Sequence, residues 1–405
     1  MKQLRNFENR IYPSRKQLYR LYAIFRLCSE AYNIMLTENE VIYEKNQRTL
    51  SRNDLCLFLT YLKRHDPRFK AVNAQVLQNQ VDRLTKAFAN YFRRCKEKER
   101  GASIDVGYPR YKKMVHSITY PQNKGPFKLV GNKLAVNKIG RISVVLHRPI
   151  VGTIKTLTIK RNRAGQFFAV FSCEVDVPEH STHSRPTVGL DQGLKSFIIG
   201  SDGLEVEPPK FLRKSGKKLR KAQRKLSRKV KGSRNRRKQR RKLARIHLKI
   251  TNQRDDWLHK LSREMASKYG VIVVEDLQLA NLVKNHSLAK SFNDAGLGTF
   301  VRMLEYKVSE TGAQIVKVNR ACTAQTCSRC GHVKHDEDKL TLSDRTYECG
   351  ICGLEMDRDL NASFNIHRAG LARIHACGDD IRLPPEGAVV VEAGTLCSGG
   401  ARCTS

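Results

Sequence analysis

The chain has 405 residues, of which 40% are apolar, so it is long enough for two or three domains with buried cores. Its formal charge of +38, from 76 Lys and Arg against 38 Asp and Glu, is too large for an ordinary soluble enzyme and indicates a polyanionic partner, with nucleic acid the leading candidate. The sequence shows no 18-residue apolar run, lipidation signal or apolar N-terminal region, so we expect no membrane partner and an intracellular, cytoplasmic protein.

The first half of the chain is predicted to combine helices with a small sheet. A short extended segment ends at Tyr12-Pro-Ser14, where the serine can cap the next helix. Apolar residues recur with helical spacing from Lys16 to about Arg100, which predicts an all-α insert. From Ser117 to Val177 the chain is rich in β-branched and aromatic residues punctuated by Gly and Pro, which predicts a small antiparallel barrel.

Residues 107–113, between these two regions, alternate aromatic and basic side chains. This composition is typical of a surface that stacks on bases while contacting phosphates. An aromatic edge strand would have the same sequence, so both interpretations remain open. The candidate nucleic-acid contacts in this segment are Tyr108, Arg110, Tyr111, Lys112 and Lys113.

The second half of the chain follows a linker predicted from Pro178 to Pro186. Strand patterns at 188–191 and 197–203 precede long basic helices, and further strand patterns follow at 271–277 and 314–318. The order ββ(β)-α-β-α-β, followed by a helix that carries acidic residues, is that of a ribonuclease H type fold. Residues 371–405 lack periodicity and are predicted to form a disordered tail.

A strongly basic run covers residues 210–254, with 22 Lys or Arg in 45 positions and no acidic residue. A solvated helix surface usually interleaves both signs of charge. Here the positive side chains repel one another, and phosphates are needed to relieve that repulsion. Apolar residues recur with helical spacing on both sides of Lys231-Gly-Ser233, which predicts two basic helices. The candidate nucleic-acid contacts in the run are Lys217, Lys218, Arg220, Arg224, Arg236, Arg237 and Arg241.

Two Cys-x2-Cys pairs separated by eighteen residues predict a structural zinc site. The four cysteines are Cys327, Cys330, Cys349 and Cys352. Four thiolates complete a tetrahedron and leave no open position for catalysis. The other eight of the twelve cysteines are scattered, which is not typical of a disulfide scaffold. The nearby His332 and His335 are expected to be exposed and not to bind the metal.

Isolated acidic residues end two apolar strands and begin a helix. Asp191 ends the first predicted strand of the second half, Glu275 ends a run of valines and isoleucine, and Asp357 and Asp359 lie at the helix start. Such carboxylates are costly to bury unless they are paired or bind metal. Mg²⁺ takes oxygen ligands, and two ions ~3.5–4 Å apart can activate water and stabilise the leaving 3′ oxygen in phosphodiester hydrolysis. The sequence therefore predicts a nuclease with two magnesium ions.

The residues alone leave two choices open in this acidic site. Asp276 adjoins Glu275 but points to the opposite face of an alternating strand, so only one of them can face the site. Asp357 and Asp359 diverge by about 200° around a helix.

In this order, the motifs resemble the TnpB family of transposon-encoded RNA-guided nucleases, relatives of the type V CRISPR effectors, over most of residues 1–370. The resemblance rests on Tyr12-Pro-Ser14, Gly107-Tyr-Pro-Arg-Tyr-Lys112, Gly189-Leu-Asp-Gln-Gly-Leu-Lys195, Lys242-Leu-Ala-Arg-Ile-His247, Val274-Glu-Asp-Leu277, Asp294-Ala-Gly-Leu-Gly298, the Cys327 to Cys352 ribbon and Asp357-Arg-Asp-Leu-Asn-Ala362. Gln192, Leu297 and Ser363 depart from the family pattern, and none of these departures removes a proposed metal ligand.

The resemblance implies that Asp191, Glu275 and Asp359 are the three catalytic, magnesium-binding carboxylates of a RuvC-like site. The intact triad speaks against the nuclease-dead, guide-RNA-directed repressors related to the family. Also implied are a guide RNA made from the transposon end, a short target-adjacent motif in double-stranded DNA, and association with a prokaryotic nucleoid. The oligomeric state is not predicted.

The implied fold class is multi-domain α+β. A wedge-like β-barrel carries a helical recognition insert, and an RNase H-like (RuvC-like) α/β nuclease domain carries an inserted zinc ribbon with four cysteine ligands. The implied boundaries are 1–20 and 115–180 for the barrel, 21–114 for the insert, 187–320 and 356–370 for the nuclease domain, 321–355 for the ribbon and 371–405 for the tail.

The leading hypothesis is an RNA-guided endonuclease that cleaves double-stranded DNA. A DNA strand-transferring transposase is the second, because a carboxylate triad serves both hydrolysis and strand transfer. An RNA-guided DNA-binding protein without catalysis is the third, and the three intact acids argue against it.

Overall fold

The computed structural model describes residues 2–123, 125–176, 185–277, 284, 286–319, 323–335, 338–341 and 343–376. Contacts within the chain divide it into two compact units. The N-terminal unit is Lys2–Asp176, and the C-terminal unit is Val177–Ser405. Most of the predicted linker from Pro178 to Pro186 lies outside the described residues.

Helices follow the first strand of the N-terminal unit, as the apolar spacing predicts. The predicted cap is a capping box, because the Gln17 N–H donates to Ser14 Oγ (3.4 Å) and the Ser14 N–H donates to Gln17 Oε1 (2.9 Å). The helices are α1 Arg15–Asn46, α2 Arg52–His65, a 3-10 turn Pro67–Ala71 and α3 Ala74–Glu99. Their buried residues, such as Phe25 and Leu84, join the core of the adjoining sheet.

A seven-stranded antiparallel sheet completes this unit. Its strands are β1 Lys2–Tyr12, β2 Ser117–Tyr120, β3 Phe127–Val130, β4 Lys133–Val136, β5 Gly140–Val145, β6 Thr153–Arg161 and β7 Phe167–Asp176. They lie in the order β2-β6-β7-β1-β5-β4-β3, so β1 pairs with two strands from the far end of the unit. The predicted antiparallel sheet is confirmed. The described pairings leave β2 and β3 as edges, so closure into a barrel stays a prediction.

The C-terminal unit is built on a five-stranded mixed sheet. Its strands are β8 Thr187–Asp191, β9 Ile198–Gly200, β10 Glu205–Val206, β11 Val271–Glu275 and β12 Gln314–Val318. The order is β10-β9-β8-β11-β12, with β8, β11 and β12 parallel and the first three strands antiparallel. Strand β11 lies between two parallel neighbours, which explains its unbroken run of buried valines and isoleucine. The predicted strand and helix order is confirmed.

Five described helices belong to the C-terminal unit. They are α4 Phe211–Ser227, α5 Arg234–Lys268, α6 His286–Ala295, α7 Leu297–Thr311 and α8 Arg358–Ala376. The basic run thus forms two helices, as predicted, with a break at 228–233. Between α5, α7 and the sheet, the ring of Phe197 packs edge-on against Trp257 and Phe300. No described helix has the length and apolar character needed to cross a membrane.

Helix α8 continues six residues beyond the predicted start of the tail. The prediction of disorder is therefore wrong for residues 371–376. Ile374 is buried in a small cluster with Val273 and Val316 of the sheet, and this burial stabilises the last turns of the helix. Residues 377–405 lie outside the described residues.

Candidate active site and metal centre

The three predicted carboxylates come from three elements of the C-terminal unit that meet at one edge of the sheet. Asp191 ends β8 and Glu275 ends β11, and these strands are adjacent and parallel, so both acids leave the same edge. Asp359 lies in the first turn of α8, which packs across β8. The structure therefore brings together residues that are far apart in the sequence.

The pKa of Asp191 reports this proximity. Burial raises it from its usual 3.8 to about 7, and the nearby carboxylates of Glu275 and Asp359 add to the rise. The Gln192 N–H and the Arg358 guanidinium oppose the rise only in part. Three acids that repel one another in a half-buried site form a donor set suited to a hard divalent cation.

The two aspartates at the start of α8 have different roles. Asp357 is exposed, and its Oδ1 accepts hydrogen bonds from the N–H groups of Asp359 (2.9 Å) and Leu360 (3.1 Å), so it caps the helix. Asp359 is half-buried and forms a 3.1 Å ion pair with Arg358, and its charge raises the pKa of Asp191. The capping bonds thus engage Asp357 with its own helix, and the assignment of Asp359 as the metal-binding acid stays a prediction.

The two acids at the end of β11 also diverge, as strand alternation predicts. Glu275 is half-buried, raises the pKa of Asp191 and accepts a 2.6 Å hydrogen bond on Oε1 from Thr323 Oγ1. Asp276 is exposed and lies near Lys317 instead. Glu305 raises the pKa of Lys317 most, and the charge of Asp276 raises it further.

Close packing of α8 on the sheet depends on glycine. A Cβ atom on Gly189 would lie 2.4 Å from the Ser363 carbonyl oxygen, and one on Gly370 would lie 2.3 Å from a Val273 methyl group. A side chain at either position would push the helix away, and Asp359 with it. Gly189 belongs to the motif that contains Asp191, so its presence there has a packing reason.

The four cysteines converge as predicted. Their sulfur atoms all lie within 4.8 Å of one another, and the pairs Cys327–Cys352 and Cys330–Cys349 are each 3.6 Å apart. A tetrahedral zinc ion with bonds of about 2.3 Å requires sulfurs about 3.8 Å apart. The tetrad therefore fits structural zinc. Within the described residues no other group of three or more candidate ligands is this tight, so the three carboxylates form a looser set.

Both cysteine pairs adopt the same local structure. In each, the first cysteine N–H donates to the carbonyl five residues later (2.8 Å), and a glycine N–H four residues later returns a bond to the cysteine carbonyl. Gly331 and Gly353 reach this position with φ of 79° and 68°, in the left-handed region that favours glycine. His332 and His335 are exposed, as predicted, and Cys322 lies outside the described residues.

The charges of the tetrad also favour a cation. Backbone N–H groups of Cys352 and Ile351 lower the pKa of the Cys349 thiol to about 6. Although the His332 backbone N–H opposes it, burial and the neighbouring sulfurs raise the pKa of Cys330 to about 12. Four adjacent thiolates cannot all stay ionised without a positive ion among them.

Helix α8 joins the cysteine knuckle to the acidic site through two asparagines that sequence reasoning did not single out. The buried Asn361 accepts from the Ser328 N–H (2.9 Å) and donates to the Thr326 carbonyl (2.7 Å). Asn365 donates to the carbonyls of Thr323 (2.9 Å) and Thr326 (2.7 Å). Asn361 lies within the motif Asp357-Arg-Asp-Leu-Asn-Ala362, and this position is the sequence signal that could have indicated its role.

Helices α4 and α5 pack together and present most of the predicted basic contacts to solvent. Lys217, Lys218, Arg220, Arg224, Arg237 and Arg241 are exposed. Arg236 is different, since it is partly buried and donates from Nη1 to the carbonyls of Leu226 (3.0 Å) and Lys229 (2.8 Å). It therefore closes the turn between the two helices, and its role as a nucleic-acid contact stays a prediction.

The motif around Asp294 holds the beginning of α4. Both oxygens of Asp294 accept from the Leu212 N–H, at 3.0 and 3.1 Å, where the helix has no side-chain cap of its own. Leu297, a departure from the family pattern, is the first residue of α7 and is 1% exposed in the core of the C-terminal unit. An apolar side chain of another shape is accommodated there by packing.

In the N-terminal unit, residues 107–113 form no strand, so the edge-strand interpretation is wrong. Tyr108, Arg110, Tyr111 and Lys113 are exposed, which suits a contact surface. The ammonium group of Lys112 instead lies 3.7 Å from the centre of the Tyr32 ring, and burial lowers its pKa. It is therefore engaged within the unit.

Comparisons with known proteins place the chain in a family. A protein of Streptomyces pristinaespiralis, named as a candidate RNA-guided DNA endonuclease, is 35% identical over 385 residues, which cover 93% of this chain and 92% of the relative. The Escherichia coli K12 protein InsQ, named in the same way, is 29% identical over 94% of this chain and 96% of its own length. The family model described as "Probable transposase" matches residues 170–286, and that of the Cas12f1-like TNB domain matches residues 298–366. The chain belongs to the TnpB family.

A solved structure confirms the fold at a coarser level. The Cas12f1 chain in a complex with a single guide RNA and target DNA superposes with a TM-score of 0.52 at 16% identity, covering 87% of this chain and 82% of that one. The shared feature is the mixed α/β fold.

Proposed function

We propose that this protein is an RNA-guided endonuclease that cleaves double-stranded DNA beside a short target-adjacent motif. The observation that carries the proposal is the meeting of Asp191, Glu275 and Asp359 from β8, β11 and α8, with the pKa of Asp191 raised to about 7. The proposal is supported by the names of its relatives and by the guide RNA and target DNA in the Cas12f1 complex.

The three carboxylates would hold two magnesium ions. Two ions would share these ligands with water and substrate phosphate. When bound, magnesium supplies an activated water and stabilises the leaving 3′ oxygen. Asp191 would bind the cation as a carboxylate, because a nearby positive charge would offset the burial and the carboxylate repulsion that raise its pKa. Arg358 stays paired with Asp359 and limits the negative charge of the site.

The basic surfaces would hold the nucleic acids. The exposed cations of α4 and α5 run along two long helices with no acidic residue between 208 and 254, which suits contact with the backbone of a guide RNA and its heteroduplex with DNA. In such systems base pairing selects the target and the protein reads the short motif. A guide transcribed from the transposon end would supply the sequence. Tyr108, Arg110, Tyr111 and Lys113 are proposed as further contacts.

The domain arrangement is proposed on the same grounds. The sheet and helices of residues 2–176 correspond to a wedge-like barrel with a recognition insert. The sheet β10-β9-β8-β11-β12 with α8 corresponds to a RuvC-like nuclease domain, into which the cysteine knuckle is inserted as a zinc ribbon.

The test is cleavage of a plasmid that matches the RNA co-purified with the protein. The wild type should cut it with Mg²⁺ and not with EDTA. Asp191→Ala should retain RNA and DNA binding but leave the plasmid intact. Full cutting by that variant would remove Asp191 from the mechanism and refute the proposed site.

DNA strand transfer is the second candidate, favoured by the match of residues 170–286 to a family described as "Probable transposase". The same carboxylates serve either reaction. Sequencing the DNA products separates them, because strand transfer yields joined molecules while hydrolysis yields broken ends. A plasmid that is bound but left intact by the wild type would instead indicate a guided binding protein without catalysis.

A further inference from the structure

We propose that Thr323 is a positioning residue for Glu275 and that the loop before Cys327 sets its place. The inference deepens the proposed nuclease function and rests on it. Thr323 belongs neither to the acidic triad nor to the cysteine tetrad. It contacts Glu275 of the triad, and the chain continues from it to Cys327 of the tetrad.

The contact with the acid is short and charge-assisted. Thr323 Oγ1 donates to Glu275 Oε1 at 2.6 Å, and both side chains are half-buried. Hydroxyl donors to carboxylates at this distance are among the stronger neutral-donor hydrogen bonds, because the acceptor is ionised. The bond engages one of the two carboxylate oxygens and thereby fixes the rotation of the carboxylate relative to Asp191.

The threonine is itself held through its own carbonyl and through the residues that follow it. Its carbonyl accepts from Asn365 Nδ2 (2.9 Å), and the same amide group donates its second hydrogen to the Thr326 carbonyl (2.7 Å). Asn361 holds the following residues through Thr326 and Ser328. Both asparagines project from α8, the helix that carries Asp359.

The consequence is a closed set of contacts around the site. Glu275 is tied through Thr323 and Asn365 to α8, and α8 positions Asp359, so two of the three carboxylates are oriented by one network. Partners behind metal-binding carboxylates typically change metal affinity or activity 10–100-fold when they are removed. Thr323 should belong to this class.

The experiment compares variants of the full-length, zinc-loaded chain without nucleic acid. Mn²⁺ affinity is measured from the paramagnetic resonance signal of unbound Mn²⁺. Thr323→Val, which keeps the shape and loses the hydroxyl, should weaken the affinity about tenfold. Thr323→Ser, which restores the hydroxyl, should stay within about threefold of the wild type.

Thr311→Val is the matched control. Thr311 is also half-buried in the C-terminal unit and donates a 2.8 Å bond from Oγ1, but to the Ala266 carbonyl. Its loss should leave Mn²⁺ affinity unchanged. Thr323→Ala removes the hydroxyl by another route and takes the place of the valine variant if that variant does not fold.

A double-mutant comparison shows whether Thr323 acts through Glu275. In a Glu275→Ala background, adding Thr323→Val should cause no further loss of affinity. A further tenfold loss, or a serine variant as weak as the valine variant, would overturn the proposal. So would wild-type affinity in both Thr323→Val and Thr323→Ala.

Failure of the nuclease function would look different. If the wild type bound no more Mn²⁺ than Asp191→Ala, the acidic site would not be a metal site and the proposed function would fail with it. If the wild type bound Mn²⁺ and Asp191→Ala did not, while Thr323→Val matched the wild type, only the positioning role would be lost. The Mg²⁺ concentration for half-maximal plasmid cleavage should rise in the same variants that bind Mn²⁺ weakly.

Discussion

Replacing Asp191 by Asn should stabilise the magnesium-free protein at alkaline pH. The folded-state pKa of Asp191, about 7, lies above its usual 3.8, so the folded protein holds a proton that the unfolded chain has already released between these values. The free energy of unfolding of the wild type therefore falls as the pH rises through this window. Asparagine carries no charge and escapes this penalty.

The magnitude follows from the size of the shift. One pH unit corresponds to about 1.4 kcal/mol, so a rise of about three units costs the folded state at most about 4 kcal/mol. Because the side chain is only half-buried, we expect a gain of about 1–3 kcal/mol for Asp191→Asn at pH 8. The gain should disappear below pH 4, where the wild-type carboxyl is protonated in both states.

The assay is urea unfolding in zinc-containing, magnesium-free buffer, followed by the fluorescence of Trp257. This is the single tryptophan of the chain, and it packs against Phe197 in the core of the C-terminal unit, so its signal reports that unit. Asp276→Asn, which neutralises the exposed acid next to Glu275, serves as the control and should have little effect. A pH-independent difference between Asp191→Asn and the wild type would refute this explanation of the site's electrostatics.

Three further predictions concern the rest of the C-terminal unit. Cys349→Ser should reduce the zinc content below one ion per chain by elemental analysis and should lower the stabilisation gained from Mg²⁺, because the knuckle anchors the loop beside Glu275. Arg224→Ala should weaken duplex binding and flatten the plot of log K against log salt by ~0.9 if its exposed side chain contacts one phosphate, as measured by filter binding at several KCl concentrations. Asp357→Ala should lower the free energy of unfolding in urea by about 1 kcal/mol, because the helix cap is lost, and should still cut the plasmid. Asp359→Ala should abolish cleavage and have a smaller effect on the free energy of unfolding.

Local patterns in the sequence are enough to predict much of this fold. The parallel strand β11 is recognisable from its apolar run, and the basic helices from their spacing, because each signal lies within one element. The two cysteine pairs are equally local, since each knuckle needs only two cysteines and the glycine that follows. The positions of the candidate acids are also local, since they lie where predicted strands end and a helix starts, but the choice between Glu275 and Asp276 and between Asp357 and Asp359 comes from the family resemblance.

Other features depend on contacts that no local pattern encodes. Thr323 and Glu275 are 48 residues apart, and Asn365 and Thr323 are 42 apart, so their pairing follows from the packing of α8 on the sheet. Arg236 has the same composition signal as Arg237, yet one closes a helix turn while the other faces solvent. Composition identifies a basic surface, but only the fold decides which of its members are already engaged.

The distribution of charge in this chain explains why a few acids need so much support. A net charge of +38 attracts phosphates over much of the surface, but lysine and arginine hold a phosphodiester without breaking it. Breaking it requires a place where divalent cations compete successfully with those side chains, and that place must be negative. Asp191 shows the cost, since burial, and after it the neighbouring carboxylates of Glu275 and Asp359, raise its pKa to about 7. Arg358 contacts Asp359 and Thr323 contacts Glu275, so in the proposed function these two partners would hold the acids in place before a cation binds.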